Sequence, residues 1–407
     1  MQNHYDCIVV GAGPAGSTVA TLVAEAGIET LLLEREAIPR FHVGESLMPE
    51  TYWTLQRLGV LERMKSSQFV PKKSVQFVSA DGRESQPFFF RDHDPRECSQ
   101  TWQVERADFD HMLFVNASEK GADCHDSTRV IDILGEQNCA RGVRLQTATG
   151  QRREITSRLV VDATGQQALI ASKLGLRKNN PKLRKAAIWS YFQGGRRDEG
   201  ENAGATVILH TRSKQTWFWY IPLSRNIISV GVVGDNDLLL SGRGSAEQVF
   251  QQELANCSGV TERLEQAQRV DNFHIAKEFS YTTTQQAGEG WILIGDAMGF
   301  VDPIYSSGVF FALKSGELAA DCIVQAIRSG DLSASQLGRW TGPFNEGTRW
   351  IRKLVDAFYT EPFSMGQFMK MHPQHRGNLT DLLIGRIFEG SAGELFDDLD
   401  VWLEGLD

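Results

Sequence analysis

Three textures of hydrophobic pattern follow one another along the chain. Near the N-terminus, residues 5–10 (YDCIVV) read as a buried strand, residues 17–26 keep apolar positions at helical spacing, and residues 30–33 (TLLL) form a second apolar run. This order predicts a βαβ unit. Residues 68–82 (QFVPKKSVQFVSADG) alternate and predict one strand headed by two lysines. Residues 158–176 (RLVVDATGQQALIASKLGL) predict a strand ending at Asp162, a turn through Gly165 and a helix.

From residue 186 to 233 the texture becomes alternating and rich in aromatics, in the runs AIWSYFQGG, ATVILHT, TWFWYIPL and IISVGVVG. Such runs predict an antiparallel sheet. Residues 247–268 predict one amphipathic helix. The run 291–294 (WILI) reads as a buried strand that stops at Gly295-Asp296, and from Val309 helical spacing persists for several turns, with Ser306 or Ser307 as N-cap. The unpaired amides and the positive dipole end there suit an anion or the electron-rich edge of a reduced flavin. The last texture, residues 340–371, carries Trp340, Phe344, Trp350, Phe358, Tyr359, Phe363, Met365, Phe368 and Met369. Most of these read as helix packing, with Phe358 and Phe363 as candidates for a lid over an aromatic substrate.

Composition narrows the function classes. A net charge of -9 with no basic patch argues against a nucleic-acid partner. No run reaches the ~20 apolar residues that span a bilayer, and the first residues enter a strand without a basic leader, so the expectation is a cytoplasmic protein without a membrane span. The cysteines (Cys7, Cys98, Cys124, Cys139, Cys257, Cys322) are scattered and read as reduced thiols. His372 and His375 flank Pro373 and read as loop residues rather than ligands, so no metal is expected.

The sharpest local signal is Gly11-Ala-Gly13-Pro-Ala15-Gly16, a GxGxxG turn between a predicted strand and helix, followed by Glu34 at the end of the next strand. Gly11 permits the tight turn, Gly13 lets backbone approach a pyrophosphate, and Gly16 lets the helix pack closely. Glu34 can accept a ribose hydroxyl. These residues predict an ADP-binding unit, and spacing alone leaves NAD and FAD both open.

Other segments carry a resemblance. Phe300, Pro303, Ser306 and Gly308 stand in the spacing F-x-x-P-x-x-S-x-G, and Trp217, Trp219, Ile221 and Pro222 match W-x-W-x-I-P. The segments EREAIPRFHVGESLMP, V-x-R-x-x-F-D at 104–110 and D-A-T-G-Q at 162–166 complete the set. Over residues 5 to about 360 the chain resembles the flavin-dependent halogenases.

The resemblance implies an α/β fold: an FAD-binding Rossmann-like three-layer domain (1–80, 100–175 and 270–335), an inserted antiparallel β-sheet substrate domain (81–99 and 176–269) and a C-terminal helical segment (336–407). It implies FAD held by the Gly11, Gly13, Ala15 and Gly16 turn, by Glu34 and Arg35, and by Arg40, Gly44, Glu45 and Ser46 along the ribityl chain and ring. Arg106, Asp162, Gly165, Asp296, Pro303, Gly308 and Val309 complete that set.

Chloride or bromide would sit at Ser307 and Gly308. Hypohalous acid would pass to Lys72, with Lys73 as the alternative, either as a chloramine or through a hydrogen bond. Ser306 and Tyr305 complete the implied catalytic set, and Trp217, Trp219 and Phe358 the substrate pocket. The second dinucleotide fingerprint is missing, which implies FADH2 from a separate NAD(P)H flavin reductase. Tryptophan halogenases place a glutamate where this chain has Tyr305, which favours a phenol or pyrrole, free or tethered to a carrier protein. Rival readings are an ene reductase like geranylgeranyl reductase and an aromatic monooxygenase; Gln166-Gln167-Ala168 lacks the arginine that the hydroxylases carry.

Overall fold

A computed structural model of the chain describes all residues except 137, 278, 361, 362, 389, 390, 406 and 407. The first sheet orders Trp291–Leu293, Arg152–Asp162, His4–Val10, Thr30–Leu33 and Asp123–His125 side by side, all parallel. Its central strands are continuous apolar runs because both faces are covered. Helix Pro14–Glu25 packs against Ser307–Ser329 and Arg106–Glu119. The first crossing is so close that a Cβ on Gly316 would stand 2.7 Å from the Ala15 carbonyl oxygen. The carboxyl ends of the strands open onto the main cavity, where ligands of such sheets bind.

In the second sheet Lys185–Gln193, Ile227–Asp235, Thr216–Pro222 and Thr206–His210 are successive antiparallel neighbours. Side chains alternate across it. Trp217, Trp219 and Ile221 join the core under the C-terminal helices, whereas Phe218 and Tyr220 pack with Val249 and Phe250 of helix Ala246–Ala255. The longest C-terminal helix, Thr341–Phe358, buries a stripe of Phe344, Gly347, Thr348, Ile351, Leu354 and Val355 at helical spacing.

Three expectations change. The predicted strand 68–82 is two strands, because the hydrogen-bonding partner changes at Lys73: Val70–Lys72 pairs with Thr101–Gln103, and Ser74–Val78 runs parallel to Thr206–His210. Ser74–Val78 and His274–Lys277 thus both belong to the second sheet. Residues 247–268 break into Ala246–Ala255 and Ser258–Arg263, since Cys257 leaves helical geometry at φ −132° and ψ 87°. Phe363 lies 5.4 Å from the Trp402 ring and packs the C-terminal helices rather than covering the cavity.

Candidate active site

A cleft with a cavity volume of about 350 Å³ runs from Glu34, Arg35 and Arg129 at one end to Trp219, Phe300 and Ser306 at the other. The glycine turn forms its floor. A Cβ on Gly11 (φ +102°) would meet the Ala163 carbonyl oxygen at 2.4 Å, and one on Gly16 would meet the Gly11 oxygen at 1.8 Å. Only glycine lets these backbones close, and Gly13, Pro14 and Ala15 then present the helix start to the cavity. Glu34 accepts from the Ala12 and Glu36 amides, each at 3.0 Å, and a carboxylate so placed still has lone pairs for a ribose hydroxyl. Arg35 crosses the rim to the Gln167 amide oxygen at 3.0 Å. Length, glycine cradle and helix terminus together fit FAD.

Arg40 is not solvated. It pairs with Asp110 at 2.8 Å and Glu34 at 3.4 Å. Arg106 donates to both Asp110 oxygens, at 2.8 and 3.0 Å, and to the Val43 carbonyl at 2.6 Å. Asp110, fully buried and missed in the sequence reading, thus holds both cavity-lining arginines. The signal was present as an i, i+4 Arg–Asp pair on a predicted helix. Gly44 (φ +104°) passes so near Arg106 that a Cβ would lie 3.2 Å from its guanidinium. Asp296 faces the cavity, and burial pushes its carboxyl up to about 7 against the pull of Arg106.

Asp162 is placed differently from expectation. Its oxygens accept from the Thr164 amide at 3.0 Å, the Thr164 hydroxyl at 2.6 Å and the Ile170 amide at 2.7 Å. It therefore shapes the Gly165 turn, and Gly165 rather than Asp162 reaches the cavity wall.

The two candidate lysines part company. Lys73 is a surface residue 3.8 Å from Glu201. Lys72 is buried, and its Nζ donates to the Ser46 hydroxyl and the Leu47 carbonyl, each at 2.9 Å. Ser46 itself lines the cavity. Burial pushes the Lys72 amine down to about 7. In its neutral form the amine has two N–H bonds for these two acceptors, which leaves its lone pair for a further partner.

Comparison with known proteins decides the family. The FAD binding domain family matches residues 4–328. The 1H-pyrrole-2-carbonyl-[peptidyl-carrier protein] chlorinase of Pseudomonas fluorescens is 30% identical, over 98% of this chain and 93% of its own. The corresponding brominase of Pseudoalteromonas luteoviolacea is 31% identical, over 95% and 93%. Among solved structures, the flavin-dependent brominase Bmp2 superposes with a TM-score of 0.87 at 28% identity, over 98% and 99% of the two chains. The myxobacterial chondrochloren halogenase CndH gives 0.81 at 30%, over 97% and 96%. The chain belongs to the flavin-dependent halogenases.

In this halogenase the F-x-x-P-x-x-S-x-G loop is explained by packing. Phe300 lies over Gly308, where a Cβ would meet its ring at 3.1 Å. Ser306 takes a left-handed conformation (φ 58°, ψ 26°) ahead of helix Ser307–Ser329, and its side chain does not cap the helix. Pro303, Ser306, Gly308 and Val309 face the cavity. The amides of Ser307 and Gly308 are among the first of the helix and have no intrahelical acceptor, although the Ser307 side chain is buried off the wall.

Tyr305 turns away: its ring packs 6.3 Å from Phe358, and its hydroxyl reaches the Leu354 carbonyl at 3.5 Å. Trp219 lines the cavity, whereas Trp217 donates to the Tyr359 hydroxyl at 3.0 Å and packs on Phe358, so Trp217, Tyr305 and Phe358 form an aromatic corner behind the loop. Asp302, also missed, accepts from the Ile304 amide at 3.0 Å and from Tyr359 at 3.2 Å. It ties the loop to the end of helix Thr341–Phe358. Among the described residues no helix is long and apolar enough to cross a membrane, and no metal cluster is present.

The buried lysine has a thermodynamic signature. Its folded pKa lies near 7, below the ordinary value of about 10.4, so between them the unfolded chain binds the extra proton and stability rises with pH. The rise from this group is up to about 1.4 kcal/mol per pH unit. Urea unfolding across this window should show that slope in the wild type and lose it in Lys72→Met; equal slopes would place the lysine in solvent.

Proposed function

We propose that this halogenase chlorinates or brominates a pyrrole ring carried as a thioester on a carrier protein, with FADH2 delivered by a separate flavin reductase. The observation that carries the reading is the Lys72 amine, buried, hydrogen-bonded to Ser46 and the Leu47 carbonyl, and joined through Ser46 to the FAD cavity. Near full-length similarity to two carrier-dependent pyrrole halogenases supports the substrate class.

The Gly11–Gly16 turn and Glu34 would hold the ADP half of FAD, and Arg40, Arg106 and Asp296 its middle. Ser46, Trp219, Pro303 and Gly308 would surround the ring. Bound reduced FAD, with oxygen, supplies the oxidation of halide to hypohalous acid. The protein's part is to hold, shield and direct. The amides of Ser307 and Gly308 offer the halide a positive helix end. Trp219, held by Ser229 at 3.1 Å, keeps that end of the cleft apolar. The lone pair of Lys72 takes the halogen as the O–X bond breaks, and the departing hydroxide leaves as water with the amine proton. The electron-rich ring then takes the halogen, and its displaced proton restores the N–H.

The test supplies the protein with FAD, a reductase, halide and a pyrrolyl carrier protein, and follows the carrier by mass spectrometry. One halogen gained on the carrier-bound pyrrole is expected, and none on free pyrrole-2-carboxylate. Halogenation of free phenols alone would reject the tethered substrate.

A further inference from the structure

Between Lys72 and the FAD cavity stand two hydroxyls whose hydrogen bonds can be counted. Ser46 Oγ and Thr206 Oγ1 are 2.8 Å apart, both are buried, and both residues line the cavity. Each receives a donor from behind. Lys72 Nζ donates to Ser46 at 2.9 Å, and Gln103 Nε2 donates to Thr206 at 2.9 Å. The Gln103 amide cannot be turned round, because its other N–H goes to the Gly204 carbonyl at 2.9 Å, which only accepts. Gly204 is itself pinned: a Cβ there would stand 1.9 Å from the Pro71 carbonyl oxygen, on the strand that carries Lys72.

With Gln103 fixed as a donor and Lys72 donating to Ser46, the pair has two protons of its own and one bond between them. Whichever hydroxyl donates to the other, one O–H remains. The open space beside both residues is the cavity. We propose that the Ser46–Thr206 pair is a built donor site that presents one O–H to the cavity and holds the oxygen of hypohalous acid at the wall behind which Lys72 lies. Thr206 and Gln103 are then positioning residues for halogen transfer. The inference rests on the role proposed for Lys72.

The test compares Thr206→Val with Thr206→Ser. Hypohalous acid escaping to a dye and halogenated product are measured together, with FAD affinity followed by fluorescence. Thr206→Val should lower the ratio of product to escaped hypohalous acid roughly tenfold, the worth of one hydrogen bond. FAD affinity should stay within about twofold, and Thr206→Ser should restore the ratio. An unchanged ratio in Thr206→Val, or no rescue by serine, would overturn the assignment. Neutron diffraction of the wild type gives a readout independent of turnover and of the variants' folding: one deuteron between the two oxygens and one directed into the cavity is expected, and two deuterons both consumed inside the protein would refute it. If Lys72→Ala itself left the ratio unchanged, the reading of Lys72 would fall, while the neutron result would still judge the pair.

Discussion

Lys72→Ala is expected to lower halogenated product by roughly 100- to 10,000-fold, with FAD binding and formation of hypohalous acid unchanged. The separation follows from geometry. Lys72 is absent from the wall of the FAD cleft and reaches it through Ser46, so removing its side chain leaves the cofactor contacts in place. What disappears is the free lone pair beyond the serine. Hypohalous acid would then escape to a trapping dye instead of reaching the ring. Lys73→Ala should behave as wild type, because among the described residues the Lys73 ammonium makes a long surface pair with Glu201. Product formation by Lys72→Ala at the wild-type rate would remove the lysine from the chemistry. Loss of hypohalous acid as well as product would mean instead that the variant had damaged the cleft.

How much of this was legible depended on whether the physics was local. The glycine turn was, because the clash of a Gly16 Cβ with the Gly11 oxygen arises within six residues. Lys72 was chosen over Lys73 from the resemblance and from its phase five residues ahead of Phe77; its burial rests on the break between strands Val70–Lys72 and Ser74–Val78, which leaves Lys72 buried and Lys73 near the surface. Asp162 was misread because its partners, the Thr164 and Ile170 amides, belong to a turn whose shape the chain does not announce. Tyr305 was misplaced because its partners, the Phe358 ring and the Leu354 carbonyl, lie on a helix far along the chain. Parity placed Trp217 and Trp219 on one face, yet Tyr359 and Phe358 at the end of helix Thr341–Phe358 cover only the first. Thr206 and Gln103 could not be found at all, because they meet Ser46 only when two sheets come together.

Asp110→Asn is expected to destabilise the FAD-free protein by about 3–5 kcal/mol and to weaken FAD binding at least about tenfold. The substitution keeps the shape of the side chain and removes one charge from between two guanidinium groups. Arg40 would retain only Glu34 at 3.4 Å, and Arg106 would be left with neutral acceptors such as the Val43 carbonyl. A buried cation that loses its counter-ion keeps its full desolvation cost. Both arginines line the cleft, so their displacement would be felt by the cofactor.

The pH dependence supplies an internal control. Burial raises the Asp110 carboxyl, but the attraction of Arg106 and Arg40 outweighs it and leaves the group below the usual carboxylate range. Stabilisation from a depressed carboxyl is present above the unfolded value of about 3.9 and fades as pH falls below it. The deficit of Asp110→Asn should therefore be largest near neutral pH and shrink in acid. Denaturant unfolding at both pH values, with FAD titration by fluorescence, measures the two effects. A deficit below about 0.5 kcal/mol would class the triad with exposed ion pairs, and the arginines would then owe their positions to the backbone carbonyls instead.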